Sequence, residues 1–98
     1  MAISEELGTA RRVELSQGPV HYRERGEGEP IVFVHGVFVN GDLWRGVVPR
    51  LADRYRCIAP DWPLGSHAEA MNEEADLSTP GLARLVAEFI EALGLENV

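Results

Sequence analysis

The segment Ile31–Gly36, which reads IVFVHG, constrains the fold of this chain more than any other part of the sequence. Four consecutive apolar residues end in His-Gly, and the residues up to Asp42 lead into a helical pattern. Such a run is typical of a parallel strand covered by helices on both faces, because a half-exposed strand would alternate apolar and polar residues. Open α/β sheets bind ligands at the carboxyl ends of such strands. We therefore expect a fully buried central strand at Ile31–Val34, with functional groups in the turn that follows it.

Further strands are predicted on both sides of this segment. Apolar and polar residues alternate over Arg11–Ser16 and over Val20–Arg25, and the sequence Gln-Gly-Pro between them favours a turn. These two runs predict an antiparallel hairpin. Tyr55–Ala59 is the next run with strand character and is expected to be buried.

The first predicted helix follows the turn. Asn40 or Asp42 can cap it, and Pro49 is expected to kink or shorten it. Its apolar stripe is expected to face the sheet and consists of Leu43, Val47 and Leu51, with Trp44 and Val48 beside them.

The second predicted helix covers Leu82–Leu93, where apolar residues recur at helical spacing. Thr79 is expected to be its cap, with Pro80 at the first helical position. Gly94 is well placed for the left-handed conformation that ends many helices.

The predicted order of elements is β-β-β-α-β-α. Buried strands that alternate with amphipathic helices are typical of a parallel α/β sheet with helices on both faces, here preceded by an antiparallel hairpin. With 98 residues, the chain is one small domain or part of a larger one.

Composition excludes some classes of function. The net charge of −7 argues against a surface for nucleic acid or for anionic membranes, because both require clustered Lys and Arg. The late acidic residues are interpreted as a solvated face: Glu69, Glu73, Glu74, Asp76, Glu88, Glu91 and Glu96.

Cys57 is the only cysteine, so no disulfide forms within the chain. The strand-like residues around it favour a buried thiol over a nucleophile. Met1–Leu7 lacks the apolar core of a signal peptide, and no run of residues is long enough to span a bilayer. We expect a cytoplasmic location.

No metal or other cofactor is expected. The spacing of His21, His35 and His67 does not match a zinc site, and neither G-x-G-x-x-G nor a Walker pattern is present. His35 is expected to brace the following loop through hydrogen bonds to the backbone. The N–H groups of the turn after Gly36 can stabilise negative charge, as in an oxyanion hole. An ordinary strand-to-helix turn accounts for the same residues equally well.

The stretch from Ile31 to Asp61, IVFVHGVFVNGDLWRGVVPRLADRYRCIAPD, resembles the N-terminal part of the α/β-hydrolase fold superfamily. The branch it resembles most holds the haloalkane dehalogenases and epoxide hydrolases, in which His-Gly ends strand three and Pro-Asp ends strand four. The resemblance covers most of the chain and is more specific for the superfamily than for the reaction. It implies a soluble hydrolase for esters, epoxides or related small apolar substrates.

The resemblance also implies roles for residues near the turn. Val37 follows His-Gly, where the family supplies a backbone N–H to the oxyanion hole. Haloalkane dehalogenases usually carry Asn at this position, so Val37 counts against dehalogenation. Phe38 and Trp62 are candidates for the wall of an apolar substrate pocket, although the residue types favour core packing for each. Loop support is expected from His35, Gly36 and Asp61.

The family's nucleophile, acid and catalytic histidine would all lie beyond Val98. No serine of this chain stands in a nucleophile elbow: Ser4, Ser16, Ser66 and Ser78. We therefore expect a partial domain over residues 1–98, truncated before strand five and inactive alone.

Without strand five, the Ile31–Val34 edge would be unpaired, and the isolated chain is expected either to self-associate through this edge or to fold only marginally. A small-molecule substrate is expected only for a full-length enzyme. Two alternatives remain open: a non-catalytic interaction module that uses the sheet edge, and a gene fragment without a function of its own.

Overall fold

The computed structural model describes residues 5–65, 67 and 69–98, so Ser4 and Ser66 lie outside the described residues. Four strands, two α-helices and two short 3₁₀ helices make up the described chain. The strands are β1 (Thr9–Leu15), β2 (Gly18–Arg25), β3 (Glu29–Val32) and β4 (Tyr55–Pro60). The helices are α1 (Val48–Leu51) and α2 (Thr79–Ala92), and the 3₁₀ helices cover Glu5–Leu7 and Gly41–Trp44. No described helix has the length and apolar character needed to cross a membrane.

The strands form one mixed sheet in the order β1-β2-β4-β3. The β1–β2 hairpin is antiparallel and pairs Val13 with Val20, and β2 is also antiparallel to β4. The β3 and β4 strands are parallel and pair Ile31 with Cys57. This arrangement confirms the predicted hairpin followed by parallel strands, and it brings the carboxyl ends of β3 and β4 side by side.

One apolar cluster covers each face of the sheet. Successive side chains of β4 point to opposite faces and therefore belong to different clusters. Ile58 belongs to a cluster with Leu85 and Phe89 of α2. Cys57 and Ala59 point to the other face, where the cluster includes residues of α1 and of the first 3₁₀ helix. Helices therefore lie on both faces, as predicted. The Cys57 thiol is fully buried, and this burial raises its pKa.

The prediction of a fully buried strand at Ile31–Val34 is wrong. The strand covers Glu29–Val32, its apolar residues are only partly buried, and Val34 is 55% exposed. Among the described residues β3 pairs only with β4, so it forms an edge of the sheet. The inner strands are β2 and β4, and β4 is the strand whose last four residues are all buried.

The predicted stripe is wrong at Leu43 and Val47, which are 50% and 38% exposed, whereas Leu51 packs against the core. A 3₁₀ helix followed by the short α1 replaces the single predicted helix. Because a 3₁₀ helix has fewer residues per turn than an α-helix, residues four positions apart no longer lie on the same face. Val48, which was predicted to lie beside the stripe, is buried, and Pro49 lies in the first turn of α1, consistent with the expected shortening.

The caps follow the sequence closely. Of the two predicted caps, Asn40 is the one used: its side chain accepts a hydrogen bond from the Asp42 N–H at 3.0 Å. Ser78, and not Thr79, caps α2, since its Oγ accepts from the Gly81 N–H at 3.2 Å.

The end of α2 forms a Schellman motif, which uses carbonyls that the helix itself leaves unpaired. Gly94 has a φ of 64°. The Leu95 N–H donates to the Ile90 carbonyl at 3.1 Å, and the Gly94 N–H donates to the Glu91 carbonyl at 3.0 Å. The predicted role of Gly94 is confirmed.

Several of the late acidic residues are tied to other parts of the chain. Glu69 accepts hydrogen bonds from Arg12, which lower the pKa of its carboxyl to about 2, and it also contacts His21. The Ser16 hydroxyl donates to Glu88 at 2.6 Å and so joins the hairpin to α2. The interpretation of these residues as a solvated face is therefore incomplete.

Replacing Gly94 with Ala is expected to destabilise the chain by about 1–2 kcal/mol, because a side chain is strained in the left-handed region. Gly46→Ala is the control, since a Cβ at Gly46 would meet nothing within 4 Å. Urea denaturation of both variants checks the difference, and equal stabilities would contradict it.

Candidate functional site

The predicted site residues lie on two neighbouring segments that follow β3 and β4. Residues 35–38 leave β3, and residues 61–62 leave β4. His35, Asp61 and Trp62 are buried, at 4%, 8% and 2% exposure, whereas Val37 and Phe38 are 62% and 75% exposed. The buried members therefore lie behind the turn, and the exposed members form its outer surface.

His35 joins the two segments through its ring. Its Nε2 accepts a hydrogen bond from the Trp62 backbone N–H at 2.9 Å. Its Nδ1 lies 2.8 Å from the Gly36 carbonyl oxygen. Because a carbonyl only accepts and the Trp62 N–H only donates, both contacts are satisfied by the neutral ring with its proton on Nδ1.

Trp62 connects the turn to the core. Its indole N–H donates to the Phe33 carbonyl oxygen at 2.9 Å, and its ring meets the Phe89 ring edge-on with centroids 5.2 Å apart. With 2% of its surface exposed, this side chain packs in the core and presents no wall to solvent.

Asp61 holds the far end of the turn. Its Oδ1 accepts a hydrogen bond from the Gly41 N–H at 2.7 Å. Burial raises the pKa of Asp61, while the hydrogen bond from Gly41 opposes that rise. A Cβ at Gly41 would lie 2.8 Å from the Ala59 carbonyl oxygen, so the close approach depends on glycine.

A contact that the sequence reasoning missed holds the middle of the turn. The Phe38 N–H donates to the Leu64 carbonyl oxygen at 2.8 Å, and Phe38 has a φ of 63°. Its ring lies against Gly65, where a Cβ would come within 2.5 Å of the Phe38 Cδ1. The one signal in the sequence was a glycine shortly after Pro60-Asp61, which is consistent with a close backbone approach.

Val37 lies between these anchored positions. No described residue accepts a hydrogen bond from its N–H. Val34 and Phe38 contribute further exposed apolar surface nearby in the chain. Chemically, a backbone donor on a fixed turn beside apolar side chains can hold an oxygen atom that carries negative charge.

A cavity of about 130 Å³ opens beside the turn. It is lined by Val39, Asn40, Asp42, Leu43 and Arg45. Phe38 and Trp62, the two residues predicted to line a pocket, are not among them.

The described serines serve other contacts. Ser16 donates to Glu88, and Ser78 caps α2. Within residues 5–65, 67 and 69–98, no group of three His, Cys, Asp or Glu side chains could hold a metal ion.

Asp61→Ala is expected to destabilise the chain by about 1–3 kcal/mol, because it leaves the buried Gly41 N–H without an acceptor. Asp61→Asn keeps an acceptor oxygen at the same place and is expected to lose less. Chemical denaturation at neutral pH measures both. If the two variants were equally stable, the Gly41 hydrogen bond would not be the cause.

Comparison with known proteins identifies relatives of this fold. The α/β-hydrolase fold model matches residues 29–98. Haloalkane dehalogenase 2 of Mycobacterium tuberculosis is 34% identical over 88 residues, which cover 90% of this chain and 30% of that protein. The pimeloyl-(acyl-carrier protein) methyl ester esterase of Aeromonas hydrophila is 40% identical over 65 residues, which cover 66% of this chain and 25% of the esterase.

Solved structures agree with these sequence matches. Epoxide hydrolase CorEH superposes with a TM-score of 0.74 at 31% identity, over 88% of this chain and 30% of its own. The chain thus spans about a third or less of the length of the relatives it matches. Because the family model matches most of the chain and a solved relative shares its fold, the chain belongs to the α/β-hydrolase fold family.

Proposed function

We propose that this chain forms the first part of an α/β-hydrolase catalytic domain and supplies one donor of its oxyanion hole. The donor is the Val37 N–H. The observation that supports this proposal is a turn anchored on both sides of Val37, whose own N–H is left without an acceptor among the described residues. His35, Gly36 and Asp61 support the turn, and Phe38 contributes apolar surface at its rim.

The whole enzyme hydrolyses esters, epoxides or related small apolar substrates. A Ser or Asp nucleophile attacks the substrate, negative charge develops on its oxygen, and water activated by a histidine releases the covalent intermediate. The Val37 N–H stabilises that charge. Because Val37 lacks a polar side chain, its backbone N–H is the only donor it can offer to a halide. We therefore favour ester or epoxide hydrolysis over dehalogenation. The site of action is the cytoplasm.

The 98-residue chain alone is inactive in this proposal, because the residues described contain no nucleophile elbow. Purified chain is expected to release no product from 4-nitrophenyl acetate or styrene oxide above the buffer rate. Turnover that a point mutation within the chain abolishes would contradict the proposed inactivity.

The test of the oxyanion donor depends on the coding sequence that follows codon 98. If the reading frame continues into a nucleophile elbow, the longer enzyme is expected to lose about 10²–10³-fold in kcat on Val37→Pro, which removes the N–H. Val37→Ala keeps the N–H and serves as the matched control. Equal activity of the two variants would refute the donor role, and a stop codon at this point would favour the second candidate below.

The second candidate function is association through the free edge of β3. Only one side of β3 is paired within the described chain, and Val34, just after its end, is 55% exposed. Unpaired N–H and C=O groups along such an edge can add a strand from a second copy of the chain. A fragment with no function of its own is the remaining alternative.

Self-association is expected to increase with concentration in sedimentation velocity. Val34→Lys is expected to reduce it, because a charge beside the strand opposes edge pairing. Leu77→Lys is the matched control, since Leu77 is also exposed, at 45%, and the net charge changes equally. A monodisperse monomer with a sharp, cooperative melt would contradict this candidate.

A further inference from the structure

Gly65 lies directly against the ring of Phe38, the residue that follows Val37. Phe38 combines two unfavourable features, a left-handed backbone with a φ of 63° and an aromatic side chain that is 75% exposed. A bulky residue with positive φ is a genuine outlier, and such strain persists only where surrounding contacts impose it. We propose that Gly65 is a positioning residue, whose missing side chain leaves the space that seats the Phe38 ring and so sets the direction of the Val37 N–H.

The geometry of the contact supports this step. A Cβ at Gly65 would lie 2.5 Å from the Phe38 Cδ1 and 3.0 Å from its Cε1, so any side chain there displaces the ring. The neighbouring Leu64 carbonyl accepts the Phe38 N–H at 2.8 Å. The segment 64–65 therefore holds Phe38 by its backbone and by its ring at once.

Holding Phe38 limits the freedom of Val37. The Phe38 N–H belongs to the peptide plane between Val37 and Phe38, so the hydrogen bond to Leu64 fixes that plane. The Val37 N–H lies in the adjacent plane and can then change direction only by rotation about the bonds of Val37 itself. Asp61 restrains the same turn from the Gly41 side.

This inference rests on the proposed function at one point, the assignment of the Val37 N–H as the oxyanion donor. The positioning itself is a property of the 98-residue chain and requires no turnover. Amide NMR spectroscopy therefore tests it directly, and the hydrolysis assays on a longer enzyme test the donor role separately.

The experiment compares Gly65→Ala with Phe38→Ala in the full 98-residue chain. In both variants the Val37 amide resonance is expected to shift, and hydrogen exchange at the residue 38 amide is expected to accelerate at least tenfold. Gly94→Ala is the control. Gly65 and Gly94 have φ values of 117° and 64°, so alanine strains the backbone at both positions, and Gly94 lies far along the sequence at the end of α2. The control variant is expected to leave the Val37 resonance unchanged and to accelerate exchange at the residue 38 amide by no more than its overall loss of stability, measured by urea denaturation, accounts for.

Two results would overturn the proposal. One is a folded Gly65→Ala chain in which the Val37 resonance and the exchange at Phe38 match those of the parent. The other applies if Gly65→Ala does not fold: Phe38→Ala then decides, and hydrogen exchange at the residue 38 amide that accelerates by less than tenfold in that variant rejects the role. If both amides respond but Val37→Pro leaves the longer enzyme fully active, the positioning stands and the oxyanion role falls.

Discussion

Trp62 makes the contacts on which the rest of this structure depends. Its backbone N–H and its indole N–H both donate to the segment that leaves β3, at His35 and at the Phe33 carbonyl. Its ring packs on Phe89 of α2. One side chain thereby joins the ends of two parallel strands to the helix on one face of the sheet. Because buried donors without acceptors are costly, these two hydrogen bonds leave the turn few alternative positions.

The turn after β3 is held at several points by the segment that follows β4. His35 contacts Trp62, Phe38 contacts Leu64, and Gly41 contacts Asp61. The parallel pairing of β3 with β4 is what brings these two segments together, because parallel strands end at the same edge of the sheet. The turn is therefore shaped before any ligand arrives, which is the condition for a backbone N–H to stabilise developing charge without reorganisation.

Local chemistry made many elements predictable from the sequence. The Asn40 cap and the end of α2 at Gly94 depend on residues within a few positions of one another, and both were predicted. The buried Cys57 followed from its strand-like neighbours. The stripe of Leu43 and Val47 was wrong, because short 3₁₀ and α segments replaced one regular helix and changed which side chains face inward.

Burial along β3 shows the limit of reasoning from periodicity. Four apolar residues in a row indicate a strand that helices and neighbouring strands could cover, yet pairing partners decide how much of it is covered. Within the described residues β3 has one partner, so β4 took an inner position and Val34 stayed exposed.

The sequence by itself determined the order of strands and helices, the family resemblance and the residues of the turn. Those features depend on residue type and short-range spacing. Only the tertiary structure decided which contacts His35 and Asp61 make to support the turn, that Gly65 lies against the same turn, and that Trp62 faces the core rather than a pocket. Such contacts join residues some twenty to thirty positions apart, and they exist only once β3 and β4 pair in a defined register.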